Sequence, residues 1–165
     1  MDIGNEFGMV ATHLPQHIIG IRLLIAAVLG AMIGLERQWH TAEAGLRTHI
    51  LVSVAAALFT ILAFEIYPPL GDGQGQADPI RAVEAVTAGI AFLGAGAIFR
   101  SDGGIQGITT GAGMWLAGAV GLATALGFYL IAAGTALLAV LVLAALRVLS
   151  HRVIGRHAQN RGEDS

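Results

Sequence analysis

Two glycine-rich apolar arms joined by a short polar segment limit what this chain can fold into more than any other feature. Residues 89–115 read GIAFLGAGAIFR, then SDGGIQ, then GITTGAGMW. Gly89, Gly94 and Gly96 stud the first arm, Gly107, Gly111 and Gly113 the second, and Trp115 closes it. A glycine weakens an isolated helix by about 1 kcal/mol relative to alanine, so this density calls for neighbours whose backbones come close. In lipid that close approach drives association, because the surrounding acyl chains are as apolar as the side chains. The pattern predicts a helical hairpin, with a polar turn at 101–106, at the centre of a membrane bundle.

Composition supports lipid as the solvent. Hydrophobic residues make up 55% of the 165-residue chain and charged residues 12%, against about 25% charged in an ordinary soluble domain. Cysteine is absent, which excludes disulfides and thiolate metal sites. The first sixteen residues contain Asp2 and Glu6 and no Lys or Arg, so they lack the basic start of a cleaved signal peptide, and the first apolar helix is expected to be retained.

The expected fold is all-α: a polytopic membrane helix bundle with five transmembrane helices at about 18–35, 50–67, 82–99, 108–126 and 128–146. Residues 1–17 are read as an external N-terminal arm, 18–149 as the transmembrane domain and 150–165 as a polar cytoplasmic tail. Pro68 and Pro69 end the second span, since neither can continue a helix. Ala26, Gly30 and Gly34 lie four apart on the first span, the spacing that lets two helices touch. The fifth span is apolar on nearly every side and is placed at the outside of the bundle. All basic residues are arginines: Arg37, Arg47, Arg100, Arg147, Arg152, Arg156 and Arg161 fall on one side of the expected membrane, and Arg81 and Arg22 on the other. The positive-inside rule makes the first group cytoplasmic, so the N-terminus lies outside and the C-terminus inside.

The candidate functional cap lies at the cytoplasmic ends of these helices: Glu36 and Arg37 after the first span, Arg47 and Thr48 at the start of the second, and Arg100, Asp102, Thr109 and Thr110 around the hairpin. Glu36 is expected to pair with Arg47 while Arg37 faces the headgroups. Glu36, Asp102, Thr109 and Thr110 offer oxygens of the kind a hydrated magnesium ion accepts, but the neighbouring arginines oppose a cation. A structural or partner-binding cap is therefore preferred, and no metal or cofactor is expected. Near the outer ends, Arg22 and Glu84 form an expected intramembrane pair, since neutralising each other costs less than facing lipid alone. Trp115 is expected to pack against glycine notches. His13 and His17 are four apart, yet Pro15 between them works against a helical metal pair. The mid-depth residues of all five spans are Gly, Ala, Leu, Ile, Val, Phe, Ser or Thr, which argues against a pump or conventional transporter. No nucleophile with a nearby base, phosphate loop or zinc motif is present, so no enzyme is expected.

These stretches carry a family resemblance. RLLIAAVLGAMIGLERQ (22–38), AGLRTHILVSVAAALF (44–59), GIAFLGAGAIFR (89–100) and GITTGAGMWLAGAVGLA (107–123) follow the order of the MgtC/SapB family of bacterial inner-membrane proteins, which the chain resembles over most of 22–123. The resemblance implies a five-span domain without enzymatic activity and a regulatory role: adaptation to low magnesium, virulence through survival inside host cells, and modulation of the F-type ATP synthase or of membrane potential. The motif positions here are Glu36, Arg37, Gly45, Arg47, Thr48, Gly94, Gly96, Arg100, Thr109, Thr110 and Trp115. Longer members similar to MgtC carry a soluble C-terminal domain that this sequence, ending at Ser165, is expected to lack, and Gly111 and Gly113 depart from the larger residues of many relatives. The expected partners are the lipid bilayer, a second copy in a homodimer and a membrane protein such as the F-type ATP synthase, with no nucleic acid. Two alternatives stand beside this reading: a small divalent-cation channel or carrier, and a structural subunit of a membrane complex.

Overall fold

The computed structural model describes residues 12–39, 44–66, 79–101 and 104–160, with side chains of the last helix as far as Ala145. Five helices follow in order: α1 (Gln16–Gln38), α2 (Leu46–Ile66), α3 (Pro79–Gly96), α4 (Ile108–Ala125) and α5 (Tyr129–Asn160), with strands β1 (Phe99–Ser101) and β2 (Gly104–Gln106) between α3 and α4. The protein is an all-α helical membrane bundle. Helices α1, α2 and α4 are each long and apolar enough to cross a membrane. At 1.5 Å per residue the 23 residues of α1 span about 35 Å, against about 30 Å of hydrocarbon. The apolar part of α5, Tyr129–Ala145, is shorter, and its helix continues through the polar residues to Asn160.

The chain runs up and down, as contacts between helix ends show. Arg22 near the start of α1 reaches Tyr129 at the start of α5. Glu65 near the end of α2 accepts the main-chain N–H groups of His13 and Leu14 at that same end. At the opposite end the last turn of α1 meets the first turn of α4, where Arg37 donates to Thr110. Pro15 is the N-cap of α1, so His17 is helical and His13 precedes the helix.

The centre of the bundle is not the glycine hairpin. Ten residues of α4 are buried, whereas among the described residues of α3 only Ile90 and Gly94 are. The close contacts are made instead by α1, α2 and α4. A Cβ at Gly30 would stand 2.8 Å from the His49 carbonyl oxygen, and one at Gly34 2.8 Å from the Leu46 Cα, so α1 lies directly on the backbone of α2. Gly121 of α4 meets the main chain of Ser53 from the other side. Between these contacts Leu29, Ile33, Val52, Ala56, Ala117 and Val120 form the core, with Ala132, Ala136 and Ala139 of α5 against it. Among the described residues α5 turns its alanine face and Leu143 inward, and Leu130, Ile131, Leu137, Leu138 and Leu141 are exposed. That is the outer position its texture predicts.

The link between α3 and α4 is more ordered than a polar turn. β1 and β2 pair antiparallel with Phe99 opposite Gln106, Arg100 opposite Ile105 and Ser101 opposite Gly104. Helix α3 therefore ends at Gly96, earlier than the apolar run suggests. Gly107 makes the re-entry into α4 possible: its φ is +83°, and a Cβ there would collide with the Ala97 carbonyl.

Candidate functional site

The polar residues at the hairpin end are held by three helix termini. The last turn of α1 carries Glu36, which is buried, and Arg37, which is half-buried. Arg37 does not face outward as the sequence suggests: its Nη2 donates to Thr110 Oγ1 at 3.0 Å and so ties α1 to the first turn of α4. The arginine that stays outside is Arg47, which is exposed at the start of α2. The physical reason is register. With Gly34 seated on Leu46, the side chain of residue 37 falls over α4, where a hydroxyl acceptor is present. Gln38 Oε1 accepts the N–H of Leu46 at 3.2 Å, satisfying one of the free donors at the N-terminus of α2.

His49 is the residue that sequence reasoning missed. It is 0% exposed, enclosed by Gly30 and Gly34 of α1 and by Gly113 of α4. Its Nδ1 lies 2.8 Å from the Gly45 carbonyl oxygen. A carbonyl only accepts, so Nδ1 carries the proton and a neutral ring presents Nε2 as a bare acceptor. Nε2 has no hydrogen-bond partner among the described residues, nor has Arg37 Nε. The signal was present but indirect: a histidine one turn into an apolar run needs a cavity, and the small residues that supply it belong to other helices.

The remaining predicted positions differ in exposure. Thr48 is half-buried, Arg100 and Thr109 are exposed, and Asp102 lies outside the described residues. Thr110, one of the oxygens proposed for a magnesium ion, accepts from Arg37, which places a cation where that ion would sit. Among the described residues no three His, Asp or Glu side chains gather as metal ligands. Of the packing glycines, Gly94 and Gly111 meet across the α3–α4 hairpin, with a Cβ at Gly111 falling 2.9 Å from the Gly94 carbonyl oxygen. Gly113 touches His49, while a Cβ at Gly89 or Gly96 would meet nothing within 4 Å. Trp115 is 48% exposed.

At the other end, Arg22 takes partners other than Glu84. Its guanidinium donates to the Ala125 carbonyl, at the C-terminus of α4, and its Nε to the Tyr129 hydroxyl at 3.2 Å. Main-chain carbonyls at a helix C-terminus carry partial negative charge and lack helical partners, so they attract a cation as a carboxylate would. Glu84 is exposed on α3. Between the two ends, buried hydroxyls are matched to main-chain carbonyls: Ser53 to Ala26 across α1 and α2 at 2.8 Å, and Thr60 and Thr124 to the preceding turns of their own helices.

Known proteins resemble this chain over most of its length. A model described as MgtC family matches residues 23–152. YhiD of Escherichia coli (strain K12), which is named as a candidate magnesium transporter, is 34% identical over 138 residues, covering 83% of this chain and 64% of that protein. MgtC of Salmonella typhimurium (strain LT2) is 38% identical over 107 residues, 65% of this chain and 43% of that protein. MgtC of Brucella abortus (strain 2308) is 36% identical over 137 residues, 83% of this chain and 54% of that protein. The chain thus spans between 43% and 64% of the length of these relatives. No solved structure matches it. With most of its length matched by the family model, and most of its first helix, the hairpin and the fourth helix inside that match, the chain belongs to the MgtC family.

Proposed function

We propose that this chain is a non-enzymatic regulatory protein of the bacterial inner membrane. It crosses the bilayer five times, with its N-terminus outside and the hairpin end and C-terminus in the cytoplasm. It serves growth at low magnesium and survival in a host, and it acts by engaging a membrane partner through the cap of Arg37, Arg47, Arg100 and Thr109. The F-type ATP synthase is the partner that the family resemblance offers. The observation that carries this reading is the state of the bundle's interior: Ser53, Thr60 and Thr124 direct their hydroxyls to main-chain carbonyls, and the helices meet backbone to backbone at Gly30, Gly34 and Gly121. Such an interior suits a rigid scaffold better than a conduit, which needs polar groups turned toward its cargo.

The test is ATP-driven proton pumping in inverted membrane vesicles. Expression of the chain lowers pumping and the Arg37→Ala variant does not. Unchanged pumping, together with failure of the synthase to co-purify in mild detergent, removes the reading. A second reading, a divalent-cation carrier, is favoured by the name of the E. coli relative and by the burial of Glu36 and His49. Magnesium flux into proteoliposomes that is lost on Glu36→Gln would replace the first reading by the second.

A further inference from the structure

Helix α3 leaves one side of the bundle unfinished. An apolar cavity of about 390 Å³ opens between α2 and α3, lined by Val52, Ala56 and Phe59 on one wall and Ala85, Gly89 and Leu93 on the other. Beside it stands a large apolar side chain that the bundle does not use: Phe92, 79% exposed. Phe92 lies three residues from Gly89, so knob and hole sit within one turn of each other along the same helix. Exposed small residues flank the knob on both sides, Ala88 toward the start of α3 and Ala95 toward its end. At the start of the helix, Arg81 and Glu84 are both exposed. Glu84 sits in an apolar helix, and the arginine expected to neutralise it, Arg22, is held by Ala125 and Tyr129.

A surface that carries both a knob and its hole at one depth is complementary to itself. Two copies related by a two-fold axis along the membrane normal run their α3 helices parallel, so the same depths face each other. Phe92 of each copy then enters the cavity of the other. Arg81 of each, about 4.5 Å along the helix from Glu84, comes beside the carboxylate of its neighbour. The small residues allow the backbones the approach this needs. A lipid chain fills a groove without using Phe92 or the charges, and an unrelated helix has no reason to match both. From this geometry we infer that a second copy of this chain docks on α3, each copy burying Phe92 in the cavity between α2 and α3 of the other. The interface is separate from the hairpin-end cap and from Arg37, so its failure leaves the pumping test untouched.

The absence of native cysteine makes a clean experiment possible. Ala88→Cys and Ala95→Cys, each alone in the full chain in native membranes, are mildly oxidised and compared with Leu130→Cys on α5, where the side chain is 90% exposed. Disulfide formation requires Cα atoms closer than about 7 Å. Dimers dominate at Ala88 or Ala95 and are at trace level at Leu130. Phe92→Ala reduces the crosslinked fraction, Glu84→Arg reduces it further, and Arg81→Glu with Glu84→Arg recovers it. Equal crosslinking at all three positions, or no crosslinking at either α3 position in protein that remains folded, overturns the inference. So does a bundle that stays monomeric by mass across the concentrations at which it is made.

Discussion

Helices α3 and α4 are built from the same residues and have opposite fates. Both are 18 residues long and rich in glycine and alanine, yet α4 is sunk among α1, α2 and α5 while α3 lies at the edge. The difference is in what each glycine meets. Gly121 rests on the main chain of Ser53, and Gly111 rests on Gly94, so these two positions are closed by backbone. Gly118 meets only the end of the Ile90 side chain, which can move. Gly89 and Gly96 have open space. Glycine permits close packing, and it takes a facing backbone to use that permission.

The contrast breaks first at its strongest point. Gly121→Ala forces a methyl group into the Ser53 main chain, which cannot yield as a side-chain end can, and destabilises the whole bundle by about 2–3 kcal/mol. Thermal unfolding in detergent measures this as one cooperative loss. Gly94→Leu is a larger change at a less central place. It pushes α3 from Gly111 and costs about 1–2 kcal/mol, but the α1–α2–α4 centre survives. Hydrogen exchange should therefore rise over α3 and the β-hairpin and stay near wild type in α2. A uniform rise would mean that α3 belongs to the centre after all. Ser53→Ala removes the hydrogen bond to Ala26 between α1 and α2, worth about 1 kcal/mol, and Thr60→Ala serves as its control because Thr60 bonds within its own helix. Equal losses in both variants would show that the link between helices adds nothing.

The distinction between α3 and α4 was hard to read because sequence reports composition along a helix and not the direction of its faces. Five helices were legible: each apolar run is long enough to declare itself, and Pro15 and the residues around Gly127 mark ends that chain geometry enforces. The outer place of α5 was legible for the same reason, as large apolar residues on nearly every side suit lipid, and Ala132, Ala136 and Ala139 make the face that turns inward. Which glycines touch depends on crossing angles that only the assembled bundle fixes, so Gly89 and Gly121 look alike as letters. The site was half legible. Glu36, Arg37 and Thr110 were named, but the inward turn of Arg37 follows from the seat of Gly34 on Leu46, and Arg22 found a helix C-terminus in place of Glu84. His49 was not singled out because the space for its side chain is made by Gly34 and Gly113, residues of two other helices.

The smallest effect is the most discriminating, because one substitution should carry two signs. Gly89→Ala adds a methyl group that meets nothing within 4 Å in a single copy. In detergent dilute enough to keep chains apart, it removes backbone freedom from the unfolded state and stabilises the bundle by about 0.5 kcal/mol. In the membrane the same methyl group stands on the wall of the cavity that receives Phe92 of a second copy, so the dimer fraction measured by crosslinking at Ala95→Cys falls. A gain in both measurements would mean that the open space at Gly89 faces lipid. A loss in both would mean that α3 already packs more tightly within one copy than its exposure indicates. A gain in stability with a loss of dimer is the outcome expected if the glycines of α4, with Gly94 facing them, serve the inside of one bundle and Gly89 of α3 serves the meeting of two.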